Sequence, residues 1–157
     1  MDGSAYDGAR WLRWSVGPPG ESDLYLGYAA FYGVEVSDHV LARLWAWLQD
    51  AAHPSEALLV RRGSGQAAGF AHFRPFPRPL SGTVGCFLDD LFVDPAMRGT
   101  GAVDALLGAL KVIAAERNWS VVRWITDENN DRARAKYDRI AIPTTWVTYD
   151  MAPASAR

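Results

Sequence analysis

The chain has 157 residues, 49% of them hydrophobic and 12% aromatic, enough apolar material for one core in a chain close to the ~150 residues of an average domain, which excludes disorder of the whole chain. The net charge of −2 lacks the basic excess that phosphate-backbone binding needs, so no nucleic acid partner is expected. The single cysteine, Cys86, cannot close an intramolecular disulfide, no Cys/His spacing suggests a metal, and neither a leader nor a membrane-length apolar run is visible, so a cytoplasmic protein with no membrane association is expected.

Residues 10–16 alternate well enough for a first strand, which Gly17-Pro18-Pro19-Gly20 ends. Two helical stretches follow. The second starts at a Ser37 N-cap and carries Val40, Leu41, Leu44, Trp47 and Leu48 on one face, a stripe expected to pack on a sheet. Residues 56–61 and 67–73 are short apolar runs joined across Gly63 and Gly65, which predicts an antiparallel hairpin. Residues 74–82 contain Pro75, Pro77 and Pro79, which deny donors to a ladder, so the segment reads as a loop. A long strand over 83–93 stops at Asp94-Pro95, and a helix begins at Gly101 with Val103, Leu106, Leu107, Leu110 and Ile113 at helical spacing. Residues 120–127 then read as a buried strand, 130–140 as an amphipathic helix, 144–151 as a last strand at a sheet edge, and 152–157 as a disordered tail. Hairpins in the middle and one strand-helix-strand crossover predict a single α/β domain over residues 1–151, with a mixed, mostly antiparallel sheet flanked by helices on both faces.

The junction Asp94-Pro95-Ala96-Met97-Arg98-Gly99-Thr100-Gly101-Ala102-Val103 joins a strand end to a helix start. Its glycines allow close backbone approach, the first-turn amides have no partner within the helix, and the helix dipole adds partial positive charge. Together these suit a diphosphate, with Arg98 adding a charge-assisted contact. The dinucleotide fingerprint fails because Asp104 stands where a third glycine is needed, and no Gly-Lys-Ser/Thr ending completes a P-loop. A plain turn that starts a helix is the alternative.

Asp89 and Asp90 end the long strand beside this junction, where a carboxylate can attract an ammonium and take its proton. Alternation sends neighbours to opposite faces, so only one of them reaches a common site unless the strand bulges. Carboxylates in solvent, or capping a loop, are the alternative. On the helix from Asn130, the positions Asn130, Ala133, Tyr137 and Ile140 share a face, which turns Tyr137 inward as a candidate acid or as a core tyrosine. His39, His53 and His72 are isolated in the sequence and receive no role. Trp45, Trp47, Trp119, Trp124 and Trp146 are expected in the core, and Cys86 is expected buried and inert.

Three of these segments match a known pattern in order. Phe87-Leu88-Asp89-Asp90-Leu91-Phe92-Val93 is similar to a Tyr-Leu-Glu-Asp-Phe/Leu-Phe-Val strand. An Arg/Gln-x-x-Gly-x-Gly/Ala loop falls on Arg98-Gly99-Thr100-Gly101-Ala102-Val103, matching at Arg98 and Gly101 and departing at Val103. An Asn-x-x-Ala/Ser-x-x-x-Tyr element falls on Asn130-Asp131-Arg132-Ala133-Arg134-Ala135-Lys136-Tyr137. From Phe87 to Tyr149 the chain thus resembles the GNAT family of N-acetyltransferases, the strand being closest to the polyamine and small-amine branch.

The resemblance implies acetyl-CoA as co-substrate, bound along Leu91, Phe92 and Val93 and by Arg98, Gly99, Thr100, Gly101, Ala102 and Val103, with Asn130 at the pantetheine arm or the strands beside it. It implies a small-molecule primary amine as acceptor, direct attack in a ternary complex, no metal, and a homodimer. Asp89 then stands in the place of a catalytic glutamate, one methylene shorter and so acting through water, with Asp90 beside it and Tyr137 as acid. The β-branched Val103 narrows the approach to the loop amides. An acyl-CoA-binding or sensing domain without catalysis is therefore the rival expectation, and a dinucleotide-binding domain is disfavoured by Asp104.

Overall fold

The computed structural model describes residues 21–154. The expected first strand at 10–16, with Trp11 and Trp14, and the last three residues of the expected tail lie outside the described residues. Two helices, α1 (Glu21–Phe31) and α2 (Asp38–Gln49), precede strands β1 (Glu56–Arg61), β2 (Ala67–Arg78) and β3 (Thr83–Val93), then helix α3 (Ala102–Glu116), a short strand β4 (Val122–Arg123) and helix α4 (Asp131–Tyr137). The sheet order is β1-β2-β3-β4, antiparallel except for the β3–β4 pair. The mixed, mostly antiparallel α/β architecture is the one the sequence predicts.

One face of the sheet presents Leu59, Phe70 and Phe92 to Leu24 of α1, with Tyr25, Tyr28, Trp45 and Leu48 packed around them. Alternation sends Leu58, Val60, Ala71 and Phe73 to the other face, all fully buried, where α3 brings Leu106, Leu110 and Ile113. Ser37 caps α2 as expected, its Oγ accepting from the Val40 amide. The expected stripe is rotated, however. Trp45 and Leu48 take the inward positions, while Val40 and Trp47 are exposed and Trp47 stacks on the His53 ring at 4.9 Å. Trp119 and Trp124 are only half-buried and Trp146 is exposed, so these three are not part of the buried core, whose largest fully buried side chains include Phe70 and Phe73 of β2 and Leu106, Leu110 and Ile113 of α3.

The Pro-rich segment is the clearest departure. β2 continues through Pro75 and Pro77 to Arg78 instead of ending at Phe73, because both prolines turn their nitrogens away from β3. Pro75 lies opposite Cys86, whose amide donates to Val121, and Pro77 lies opposite Val84, whose carbonyl accepts from Ser120. These are the non-bonded pairs of an antiparallel ladder, and β1 starts only at Glu56 opposite Phe73, so the missing donors face a side where neither β3 nor β1 needs them. Only Pro79–Ser81 leaves the ladder, as a single 3₁₀ turn.

The expected strand over 120–127 shrinks to Val122–Arg123, half-buried rather than buried. Its ladder has two pairs, Cys86↔Val122 and Phe87↔Arg123, and stops just before an irregularity that bends β3.

The described residues fall into two units divided between Trp124 and Ile125. In the second, Asp127 organises a turn by accepting from the Asn129 amide, and α4 ends at Tyr137, earlier than the expected Ile140. Residues 144–151 form no strand: Trp146 and Tyr149 are 83% and 87% exposed. Their alternation supplies the side-chain pattern of a strand, but a strand also needs a ladder partner, and none is present among the described residues.

Candidate active site

The site is organised by one extra residue in β3. His72 of β2 pairs with Asp90, but the next residue, Phe73, pairs with Leu88, so Asp89 is the inserted residue of a β-bulge. Asp90 bonds His72 through Oδ2 and Nδ1 at 2.9 Å, and Asp89 accepts from the Arg74 guanidinium at 3.2 Å. His72 and Arg74 are two apart on an unbulged strand and share a face, so both carboxylates lie on the α1 side of the sheet. The bulge removes the either-or that alternation alone would impose.

Three elements meet at Asp90. The Tyr28 hydroxyl of α1 donates to Oδ1. His72, 4% exposed, lies against the Phe70 ring at 4.6 Å. With Asp90 ionised, the hydrogen of the His72–Asp90 bond must sit on Nδ1. Sequence reasoning gave His72 no role and did not single out Tyr28. The signal for His72 was its place in a β2–β3 ladder, hidden by the bulge and by reading the prolines as a loop.

The surroundings drive the carboxyls apart. Partial desolvation, with one side of the carboxyl still open to solvent, raises Asp89 above the ordinary carboxylate range, with Arg74 offsetting part of the effect and the Asp90 charge adding to it. Burial also works to raise Asp90, but the hydrogen bonds from His72 and Tyr28 outweigh it and leave Asp90 lowered. Tyr28 and Tyr25 are both raised, by burial first and then by Asp90. Cys86, fully buried as expected, is pushed up to about 12 chiefly by burial and is no nucleophile at neutral pH.

Beyond the bulge, the amide of Asp94 donates to Ala68, which fixes the phase of the β2–β3 ladder. Phe92 therefore turns its main chain to Phe70 and buries its ring against Tyr28, while the N–H and C=O groups of Leu91 and Val93 point to the side where the β4 ladder has already ended. A polar chain can pair with that edge as an extra strand would.

The strand then enters the glycine loop. Asp94 caps the turn Pro95–Met97 by accepting from the Ala96 amide at 2.8 Å, and the Thr100 hydroxyl donates to the Met97 carbonyl. Gly99 and Gly101 have φ of 80° and 90°, conformations that disfavour other residues, and nothing lies within 4 Å of where a Cβ would sit at either. Gly101 is the N-cap of α3, so the amides of Ala102 and Val103 stand at the start of a helix of 15 residues, ahead of its hydrogen bond from Ala105 to Gly101. Arg98 is exposed, with its guanidinium 5.8 Å from the Phe31 ring centroid. Open glycines, first-turn amides and a cation suit a diphosphate. Val103 is half-buried, and Asp104 adds negative charge to the same turn.

The two remaining expected residues lie in the second unit. Asn130 caps α4, its Oδ1 accepting from the Ala133 amide at 3.3 Å, and Tyr137 is half-buried at the other end. Among the described residues, no group of three His, Cys, Asp or Glu side chains is placed to hold a metal, and no helix is long and apolar enough to cross a membrane.

A bulged strand with an outward-facing main chain thus leads through a glycine loop into a helix, on a mixed α/β sheet. The chain belongs to the acetyltransferase (GNAT) family, whose model matches residues 22–141.

Among solved structures, it is similar to the ribosomal-protein-alanine N-acetyltransferase of Brucella melitensis biovar Abortus 2308, with 27% identity, a TM-score of 0.66, and coverage of 83% of this chain and 88% of that one. It shares its fold with AAC(6')-Iy in complex with the bisubstrate analog CoA-S-monomethyl-acetylneamine, with 17% identity, a TM-score of 0.73, and coverage of 96% and 100%. It also shares its fold with the aminoglycoside acetyltransferase HMB0005 from an uncultured soil metagenomic sample, with 18% identity, a TM-score of 0.65, and coverage of 85% of each chain. No curated protein sequence matches the chain.

Proposed function

We propose that the protein is an acetyl-CoA-dependent N-acetyltransferase that acts on the primary amine of a small molecule by direct attack in a ternary complex. The observation that carries the reading is the β3 bulge, which sets Asp89 and Asp90 on one face within a few residues of the outward main chain of Leu91 and Val93 and of the glycine loop. On this reading, amine handling and thioester handling share one stretch of chain.

Acetyl-CoA, when bound, supplies an acetyl thioester. Arg98 and the amides of Gly99, Thr100, Gly101, Ala102 and Val103 hold its diphosphate, the main chain of Leu91 and Val93 pairs with its arm, and Asn130 steadies the α4 end. The Phe92 side chain backs this strand from the core. Asp89 draws in the acceptor ammonium and takes its proton through water, which frees the nitrogen lone pair. As the new C–N bond forms and the C–S bond breaks, the Tyr137 hydroxyl gives a hydrogen bond and finally a proton to the departing sulfur, and the second proton lost by the acylated nitrogen restores the phenol, so that nitrogen ends as a neutral amide and sulfur as a free thiol. Written this way the reaction uses no metal ion.

The relatives support two acceptor classes. AAC(6')-Iy is in complex with a bisubstrate analog that contains CoA, HMB0005 is named an aminoglycoside acetyltransferase, and the Brucella protein is named for the alanine of a ribosomal protein. The acidic pair on the α1 side suits any compact cation, and a small amine is the class we favour. A cytoplasmic homodimer completes the proposal.

The test is a screen of polyamines, aminoglycosides and alanine-terminated peptides for release of free thiol from acetyl-CoA. Release with small amines supports the proposal. Release with peptides alone transfers the acceptor to protein N-termini, and cofactor binding with no release from any amine leaves a silent acyl-CoA binder.

A further inference from the structure

Asp90 is the most tightly held of the site's carboxylates. Tyr28 occupies Oδ1 and His72 occupies Oδ2, and core packing fixes both donors: the Tyr28 ring lies 5.7 Å from Phe70 and 5.9 Å from Phe92, and His72 is buried against Phe70. A carboxylate gripped at both oxygens by rigid donors cannot swing toward an acceptor or surrender its charge cheaply. Asp89 is held differently. Its partner Arg74 is itself exposed, with the guanidinium lying over the Phe87 ring at 4.9 Å, so Asp89 faces solvent and can exchange a proton.

We infer that Tyr28 and His72 are positioning residues that lock Asp90 as a fixed negative charge at the bulge and so leave Asp89 as the carboxylate that exchanges the proton. The inference rests on the acetyltransferase proposal only for the use to which that proton transfer is put. The groups facing Asp90 are Tyr25 and Tyr28 from α1 and His72 from β2, with Asp89 beside it; those facing Asp89 are Arg74 and His72 from β2, with Asp90 beside it. The opposite displacements of the two carboxyls agree with this division, as expected where environment separates two like groups into different roles.

The experiment is a ¹³C-carboxyl NMR titration of the full chain labelled at aspartate, comparing wild type with Tyr28→Phe, His72→Leu, His72→Asn and Asp90→Asn. In wild type, Asp90 titrates below Asp89. Tyr28→Phe and His72→Leu each remove one donor and raise the Asp90 midpoint by on the order of one pH unit. His72→Asn retains a side-chain donor and moves it less. Asp90→Asn removes the neighbouring charge and lowers the Asp89 midpoint, and where an acceptor amine is turned over, the acid limb of the rate profile moves down with it. An Asp90 midpoint unmoved by the loss of either donor overturns the inference, as does an Asp89 midpoint indifferent to Asp90→Asn. Tyr28→Phe keeps its ring in the core, so it decides the question even if His72→Leu does not fold. A chain that releases thiol with no amine removes the acetyltransferase proposal, while the titration still decides what Tyr28 and His72 do.

Discussion

Between the lowered Asp90 and the raised Asp89 there is a pH window in which the proton sits on Asp89 alone. A general base must be unprotonated, so activity is lost as pH falls through the raised Asp89 value, above the ordinary ~3.9 of an aspartate. Asp89→Asn should lower turnover by about 10²- to 10⁴-fold while the acceptor is an ammonium, and by less as pH rises past the amine's own pKa, ~10.4 for a lysine-like amine. Initial rates across pH check this, and an equal loss at every pH assigns Asp89 to positioning. Tyr137→Phe removes only a hydroxyl, so acetyl-CoA affinity should persist while turnover falls by a factor within the same range; a variant with wild-type turnover takes Tyr137 out of the mechanism. The carboxylate pair was legible in the sequence because aspartate is depleted in strands and the motif spacing marked both positions. The partners of Asp90 were not, because Tyr28 and His72 come from elements 62 and 18 residues away and meet it only through a shifted register.

Element boundaries followed the strength of the local signal. Residues 83–93 emerged with the expected limits and the helix after Gly101 with the expected start, since a long β-rich run ending in Asp-Pro and a helix opening on glycine are self-contained. The prolines of β2 misled because a missing donor ends a strand only if that donor faces a partner, and facing is a property of the ladder. The loop after β3 carries its own test. Gly101→Ala imposes the left-handed backbone cost without charge, and Gly101→Glu adds a carboxylate beside the diphosphate site. The rise in melting temperature that acetyl-CoA gives should survive in Gly101→Ala and vanish in Gly101→Glu. A shift retained in Gly101→Glu contradicts the loop assignment.

For the molecule as a whole, the mixed sheet was readable from hairpins in the middle of the chain and one crossover. The expected edge strand over 144–151 was not realised, because alternation in Thr144-Thr145-Trp146-Val147-Thr148-Tyr149 describes side chains and not a ladder. The exposed apolar side chains of Trp146, Val147, Tyr149 and Met151 invite pairing with a second copy, which is the physical ground for the proposed homodimer. Light scattering should give twice the mass of the chain at micromolar concentration, and a monomer mass throughout that range removes the dimer from the proposal.

The central claim is that this stretch of chain both binds acetyl-CoA and transfers its acetyl group to a small amine. The most direct measurement is thiol release from acetyl-CoA with a panel of polyamines and aminoglycosides, run beside the Asp89→Asn variant. The account predicts amine-dependent release by the wild type and a release at least about a hundredfold slower by the variant near neutral pH. Acetyl-CoA binding with no amine-dependent release from any member of the panel would contradict it.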